Sequence, residues 1–592
     1  MADQNHMTND RILSKLFFRL LPIQILLAAM SSFNGIVSSL FAGNFLGEEA
    51  MSAIGLYTPV NLLLGAISTM LVGGSQILCG KYMGKNQLEK TQDIFSLDIS
   101  ISTLLSVLIS VVLVLMAMTN MTTVLAGDPG VRAALNQYFI GMAVGILPLI
   151  LGAQLAAFLS LELQTKRTMT ASIIYILANI VLNFLFVGVL NLQALGLALA
   201  SSLGCWIFLL IQAQYYFTGK ALLKFRTGGA TGSDAGDIIK IGFPAAVTQG
   251  YIAIRLFVVN GLLTKYTGPA GIAAYTAANS LTGIGWAVPM GMAAVSRMLM
   301  SVAVGEEDRQ SVKDVMKHAL TKCEVILFVF MAFCILIAVS LTRLYYRDPS
   351  QPIYQMTLMG FRTIPLAFPL GHICLHVNAY AQTIGKQLLT HLESAMDGVI
   401  AVVFFSVLLV PKFGINGLYA ALYLNGWATV FLPVIYSWIV NRHFPKNMDE
   451  LLMLPKDFGA PDDARLDLSV RSMEEVVHIS RQVQDFCRNR GIDEKRAYLS
   501  ALFLEEMAGN VVDHGFTKDK KSHSVDVRVV HKDDNIILRI KDDCVRFSPE
   551  ERSKIVDPDD PEKNIGIRMV YNIAKDITYQ NMLGLNVLTI RI

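Results

Sequence analysis

The chain has 592 residues, of which 53% are hydrophobic and only 16% charged. Soluble globular proteins carry about 25% charged residues, so a wholly water-soluble chain is excluded. The net charge of +3 points to no nucleic-acid partner, because the asymmetry runs along the chain.

The apolar excess ends near Val440. Before it, runs such as 101-ISTLLSVLISVVLVLMAM and 323-CEVILFVFMAFCILIAVSL are long enough to cross a bilayer. In chain order, spans are expected near 17–43, 54–80, 95–118, 133–159, 169–189, 194–217, 239–264, 273–302, 316–341, 355–381, 391–410 and 417–440. The N-terminal MADQNHMTNDRILSKLFFRLL has no small-residue cleavage site and reads as a cytosolic lead-in to the first span. About sixteen Lys and Arg residues fall on one side of the spans against about five on the other. That bias predicts a multi-pass protein of a bacterial-type inner (plasma) membrane, surrounded by lipid, with both termini cytoplasmic. The seven cysteines show no CxxC or Cys/His spacing, so neither a disulfide framework nor a zinc site is indicated.

One offset, 221, links identical residues across the membrane region. It pairs Gly47 with Gly268, Ala53 with Ala274, Ser75 with Ser296, Leu78 with Leu299 and Gly84 with Gly305. Pro148 with Pro369, Gly196 with Gly417, Ala200 with Ala421 and Trp206 with Trp427 follow the same rule. Six spans lie in each half, so the two copies share one orientation. Parallel repeats of this kind flank a cleft that rocking exposes to each side in turn.

The first copy holds Phe41, Gly43 and Gly47 (F-x-G-x-x-x-G), then Gly55 and Pro59, then a Gly-Gly-Ser ahead of Gly84. These residues, with 271-GIAAYTAANSLTGIGWAVPMGMAAVSRMLMSVAVGEEDRQ and 414-GINGLYAALYLNGW, resemble the multidrug and toxic compound extrusion (MATE) family over about residues 12–440. The resemblance implies a polytopic all-α membrane protein, its twelve transmembrane helices forming a V-shaped fold of two parallel six-helix repeats. It also implies efflux of organic cations or other amphipathic compounds, driven by inward flow of sodium ions or protons. Family members often carry Asp where this chain has Ser38 and Asn183. Neutral Ser and Asn coordinate sodium through oxygen but cannot carry a proton in this pH range.

Ionisable residues inside the spans are functional candidates: Asp98, Arg255, Arg297, Arg362, His372, His376, Glu393 and Asp397. Asp98 and Glu393 sit near span ends, where snorkelling to the interface is expected. His372 and His376 share one helical face. They suit a proton site, a substrate contact or interhelical hydrogen bonding; no third ligand is spaced for a metal. Asp397 is a candidate partner for Glu393 or for an Arg.

After a Pro-containing linker, 441–464, the pattern alternates. A strand at 465–470, helices at 474–490 and 493–514, and a hairpin around Lys532–Asn535 are expected. A helix at about 564–575 and strands at 576–580 and 585–592 complete an α/β sandwich. Glu506, Asn510 and His514, spaced by four in 505-EEMAGNVVDHG, line one helical face. This resembles the N-box of the GHKL (Bergerat-type) ATP-binding fold, in its anti-sigma-factor-like branch. The resemblance implies that Asn510 holds magnesium against ATP, Glu506 is the base of a serine kinase, and a STAS-like protein is the partner. It likewise assigns Asp542 to the adenine amino group, Gly566 to the phosphates and Thr589 to the adenine pocket. The usual D-x-G-x-G glycines are Cys544 and Arg546 here.

The expected domains are 12–218 and 239–440 for the two bundles and 465–592 for the ATP-binding-like unit. Three functions remain open: an exporter tuned by a nucleotide-binding domain, a membrane-anchored serine kinase with a sensing membrane part, or a non-catalytic partner-docking tail. No Walker A sequence occurs, which argues against direct ATP-driven pumping.

Overall fold

The computed structural model describes all residues except 1, 42–44, 47, 120, 125–127, 227, 347, 456–457, 517–522, 533, 546–548 and 550–564. Gly43, Gly47 and Arg546, named above, lie outside the described residues. Among the described residues, 12 helices are long and apolar enough to cross a membrane. They are α1 (Leu13–Met30), α2 (Ala53–Gly84), α3 (Leu88–Met118), α4 (Pro129–Leu161), α5 (Thr165–Val189) and α6 (Gln193–Thr218) in the first half. The second half holds α7 (Gly232–Tyr266), α8 (Ala270–Gly305), α9 (Arg309–Leu336), α10 (Pro352–Ile384), α11 (Gln387–Phe413) and α12 (Ile415–Asn441). Each overlaps a span expected from hydropathy.

Local chemistry starts several of these helices. Asp128 accepts from Val131 N ahead of Pro129, and Thr231 and Asp234 form a reciprocal capping box before α7. Asp308 Oδ1 accepts from Ser311 N at 2.9 Å and so caps α9.

The halves meet where side chains are missing. A Cβ on Gly84 would lie 2.7 Å from Glu306 N and 2.8 Å from the Gly305 carbonyl carbon. A Cβ on Gly305 would in turn lie 2.8 Å from Lys81 Cα. The two glycines linked by the 221 offset therefore face one another across the repeat axis. Gly74 on α2 meets the Ile238 backbone, and Gly242 on α7 meets that of Met70. One apolar cluster runs through this seam, including Leu71 and Leu78 of α2 with Met298 and Val302 of α8.

The C-terminal unit is a five-stranded antiparallel sheet of order β1-β2-β3-β5-β4, covered on one face by helices. Its strands are β1 (Arg465–Val470), β2 (Val525–Lys532), β3 (Asn535–Asp542), β4 (Asp576–Met582) and β5 (Leu585–Arg591). The segment 441–464 carries a short helix, α13 (Met448–Leu452); α14 (Met473–Asn489), α15 (Glu494–Asn510) and α16 (Ile565–Ile573) follow. Lys532 pairs with Asn535 at the expected hairpin. Alternate residues Val525, Val527 and Val529 face Val483, Phe503 and Leu504 of the helices. The other sheet face, bearing Arg528, Arg539 and Lys541, looks toward the membrane helices.

The segment expected to be a plain linker is in fact docked. Asp449 pairs with Arg309 at 3.0 Å and Lys313 at 3.2 Å, and Tyr380 Oη donates to Leu452 O at 2.6 Å.

Gly84→Val forces a side chain into backbone and should cost about 1–3 kcal/mol. Gly250→Val, where a Cβ meets nothing within 4 Å, is the control. Thermal unfolding of the full chain should show a lower Tm for the first variant and little change for the second.

Candidate functional site

A cavity of about 600 Å³ lies among α1, α2, α4, α5 and α6, with α8 closing one wall. Gln24, Ser38, Tyr57, Asn61, Gln76, Tyr138 and Arg297 give it polar groups, while Met30, Met142 and Phe208 give it apolar surface. Ser38 lines this cavity, its Oγ 3.5 Å from Ser201 Oγ. Asn183 is buried, its Nδ2 donating to Asn179 O at 2.8 Å, and it is not part of the lining. Tyr57 and Gln76 had no sequence signal, because polar side chains on a long apolar helix reveal depth but not which way they face.

The second half holds a separate polar cluster. His372 Nδ1 lies 2.7 Å from Glu324 Oε1 on α9, and the His372 and His376 rings are 4.0 Å apart. Both histidines are fully buried. Glu324 was missed, although a lone acid opening the run 323-CEVILF was available to be noticed. Asp397 accepts from Asn425 Nδ2 at 2.9 Å, and Arg255 reaches only the Asp397 carbonyl, at 3.4 Å. Snorkelling does not hold for Asp98 or Glu393: both are 0% exposed, turned into the bundle and away from the interface. Hydropathy put them on spans, but orientation about the helix axis decided their surroundings.

A third site lies in the C-terminal unit. Asn510, His514, Asp542, Cys544, Tyr579, Asn586 and Leu588 line one pocket. Asp542 Oδ1 accepts from Asn586 Nδ2 at 2.8 Å and from Cys544 N at 3.0 Å. Burial pushes its carboxyl above the ordinary value, which these bonds only partly offset. Asn510, one of the lining residues, donates from Nδ2 to Glu506 O at 2.5 Å, which leaves its oxygen as the acceptor. Glu506 itself abuts Gly566 at the start of α16, where a Cβ would collide with its carboxylate. This donor set fits a nucleotide: Asp542 and Asn586 would hold the base, Asn510 a magnesium ion, and the α16 N-terminus the phosphates. Bound ATP would supply a transferable phosphoryl group.

Thr589 is a correction. It faces the opposite side of β5 from Leu588, bonded by Arg539 Nε at 3.4 Å. There it lines a polar cavity of about 560 Å³ with Lys85, Asn86 and Glu307. Adjacent strand residues point to opposite faces, so a one-residue choice of register put it in the wrong pocket.

The MatE family model matches residues 22–185 and 244–406, more than half of the chain. The chain belongs to the MatE family. A second model, the histidine kinase-like ATPase domain, matches residues 471–592. A probable multidrug resistance protein NorM of Bacillus anthracis is 26% identical over 289 residues, 45% of this chain and 62% of that protein. Its counterpart in Oceanobacillus iheyensis is 25% identical over 301 residues, 49% of this chain and 64% of that protein. The chain thus spans just under two thirds of the length of these curated relatives. Among solved structures, a MOP superfamily transporter from Pyrococcus furiosus aligns with TM-score 0.66 at 20% identity, over 73% of this chain and 95% of that one. A MATE protein in complex with MaL6 aligns at TM-score 0.67 and 21% identity, over 73% and 96%. These likenesses establish the fold.

In this MatE chain the ATPase-like unit is joined to both halves by charge. Arg528 forms a close ion pair with Asp308, the cap of α9, and a second pair with Asp467 at 2.5 Å. Burial alone would raise Asp308, but Arg528 and Lys541 hold its carboxyl well below the usual carboxylate range. Lys541 donates to Glu306 Oε2 at 2.6 Å, and Lys532 pairs with Glu307 at 2.5 Å. On the first half, Asn86 Nδ2 donates to Thr578 Oγ1 at 2.7 Å, and Gln580 Nε2 donates to Met83 O at 2.5 Å. Lys15 pairs with Asp543 at 2.5 Å.

Beside this interface, burial pushes Asp526 from its ordinary 3.8 up to about 7, against the pull of Ser469, Lys541 and Arg528. A carboxyl raised in the folded state binds its proton better there than in the unfolded chain. The stability that Asp526 contributes is therefore fullest below 3.8 and falls as pH rises toward about 7. Asp526→Asn should flatten that slope in unfolding measured across this range.

Proposed function

We propose that the chain exports amphipathic organic compounds by rocking its two six-helix halves about the cavity, and that the C-terminal domain clamps the seam between them. The observation that carries the clamp is that one sheet bonds turns of both halves. β4 reaches Met83 and Asn86, and β2 and β3 reach Glu306 to Asp308. Those turns flank Gly84 and Gly305, where the backbones touch. With the positive-inside bias, this is the cytoplasmic side, and both termini lie there. The working units are then 12–218 and 239–440 for transport, 441–464 as a docked strap, and 465–592 as the regulatory domain.

Nucleotide has a direct line to the clamp. Asp542 is in the base pocket, and its neighbour Asp543 pairs with Lys15 on α1. ATP with magnesium at this pocket shifts the equilibrium between clamped and released domain in proportion to its differential affinity for the two. A second reading, serine kinase activity toward a STAS-like partner, draws support from Glu506 standing beside the α16 N-terminus. Phosphate transfer that disappears in Glu506→Ala would favour it.

The coupling ion in this proposal is a proton carried by the buried His372–Glu324 pair, since the first half offers only Ser38 and Asn183 at the expected positions. A carboxylate and an imidazole 2.7 Å apart can share and pass on a single proton. His372→Gln should abolish the pH dependence of dye transport in everted vesicles, tested with amphipathic dyes of both charges. An unchanged profile removes the pair from the coupling scheme.

Arg528→Ala strands the buried Asp308 carboxylate, and breaking such a pair costs about 3–5 kcal/mol. Limited proteolysis should then cut 441–464 faster, and transport should lose its response to ATP. Equal cleavage rates in variant and parent would rule out the clamp.

A further inference from the structure

Among the described residues, the cavity of the first half, closed on one wall by α8, is lined by one cation and by no carboxylate. Arg297 supplies the cation, and its Nε has no hydrogen-bond partner among the described residues. Tyr57, only 4% exposed, lines the same cavity with its hydroxyl likewise unpartnered.

The acids described within the membrane helices do not line this cavity. Glu324 is bonded to His372 at 2.7 Å, Glu393 accepts from Cys374 Sγ at 3.4 Å, and Asp397 accepts from Asn425 at 2.9 Å. Asp98 is buried behind α2 and does not reach the lining. Ser38 stands in the wall as a neutral hydroxyl. A charge held in a low-dielectric interior without a counter-ion is costly, and an arriving anion relieves that cost while an arriving cation adds repulsion.

We infer that the cavity selects amphipathic organic anions, the carboxylate, sulfonate or phosphate head drawn to Arg297 and the apolar body resting on Met142 and Phe208. Tyr57 and Gln76 serve the remaining acceptors of such a guest. This reverses the charge preference that the family resemblance implies, and for transport, though not for binding, it rests on the export function proposed above.

Tetraphenylborate and tetraphenylphosphonium, nearly equal in size and opposite in charge, test the assignment on the full-length purified chain. Equilibrium binding should be saturable for tetraphenylborate and at least about tenfold weaker for tetraphenylphosphonium. Arg297→Gln should erase that preference. Ser38→Asp, which leaves Arg297 in place, should weaken tetraphenylborate and strengthen tetraphenylphosphonium. Equal or tighter binding of the phosphonium by the parent chain, or an undiminished preference in Arg297→Gln, overturns the inference. Titrating in phosphatidylglycerol separates two sources of the same chemistry: displacement of the borate assigns a lipid headgroup, and persistence assigns a solute. Flux of both ions in proteoliposomes is measured separately, so binding without flux would overturn the export function and leave the anion site standing.

Discussion

Everything on the domain side of this molecule depends on two backbones touching without side chains between them. At Gly84 and Gly305 the ends of α2 and α8 come closer than any Cβ allows. The turns that follow are thereby brought next to each other, Asn86 on one side and Glu306 to Asp308 on the other. A single sheet can then span both. Were either glycine a larger residue, the two turns would part and the sheet would have to choose between them.

Polar groups in the membrane region follow a division of labour between the halves. The His372–Glu324 pair and the Asp397–Asn425 bond lie in the second half, within packed helices. Among the described residues, the first half keeps hydroxyls and amides around an open cavity, and the one charged side chain lining it comes from α8 across the seam. On the function proposed above, proton chemistry and guest recognition fall on different helices, and a movement of the halves relates them.

Most of the architecture was legible because the bilayer and the pleat impose periods on the sequence. Twelve apolar runs, the 221-residue offset and the alternation in 524-SVDVRVVH each report such a period directly. What escaped is what no local period encodes. Asp98 and Glu393 were expected to snorkel from span ends but are fully buried, since helical azimuth is fixed by neighbouring helices. Thr589 was placed on the right strand but on the wrong face. The Asp308–Arg528 pair joins residues far apart in sequence, each unremarkable in its own segment. That Asn510, His514 and Asp542 line one pocket was more readable, because they come from short motifs whose spacing carries the geometry.

The docked strap at 441–464 has a further consequence. Because the two parts share one chain, re-docking is an intramolecular event with an effective concentration in the millimolar range for a short tether. An interface made largely of ion pairs and amide contacts would hold two separate proteins poorly, especially in salt. Tethered, it can be weak enough to release on demand and still re-form every time, in fixed one-to-one ratio with its membrane helices. The same domain supplied as a free protein would have to be either too sticky to let go or too dilute to find its place.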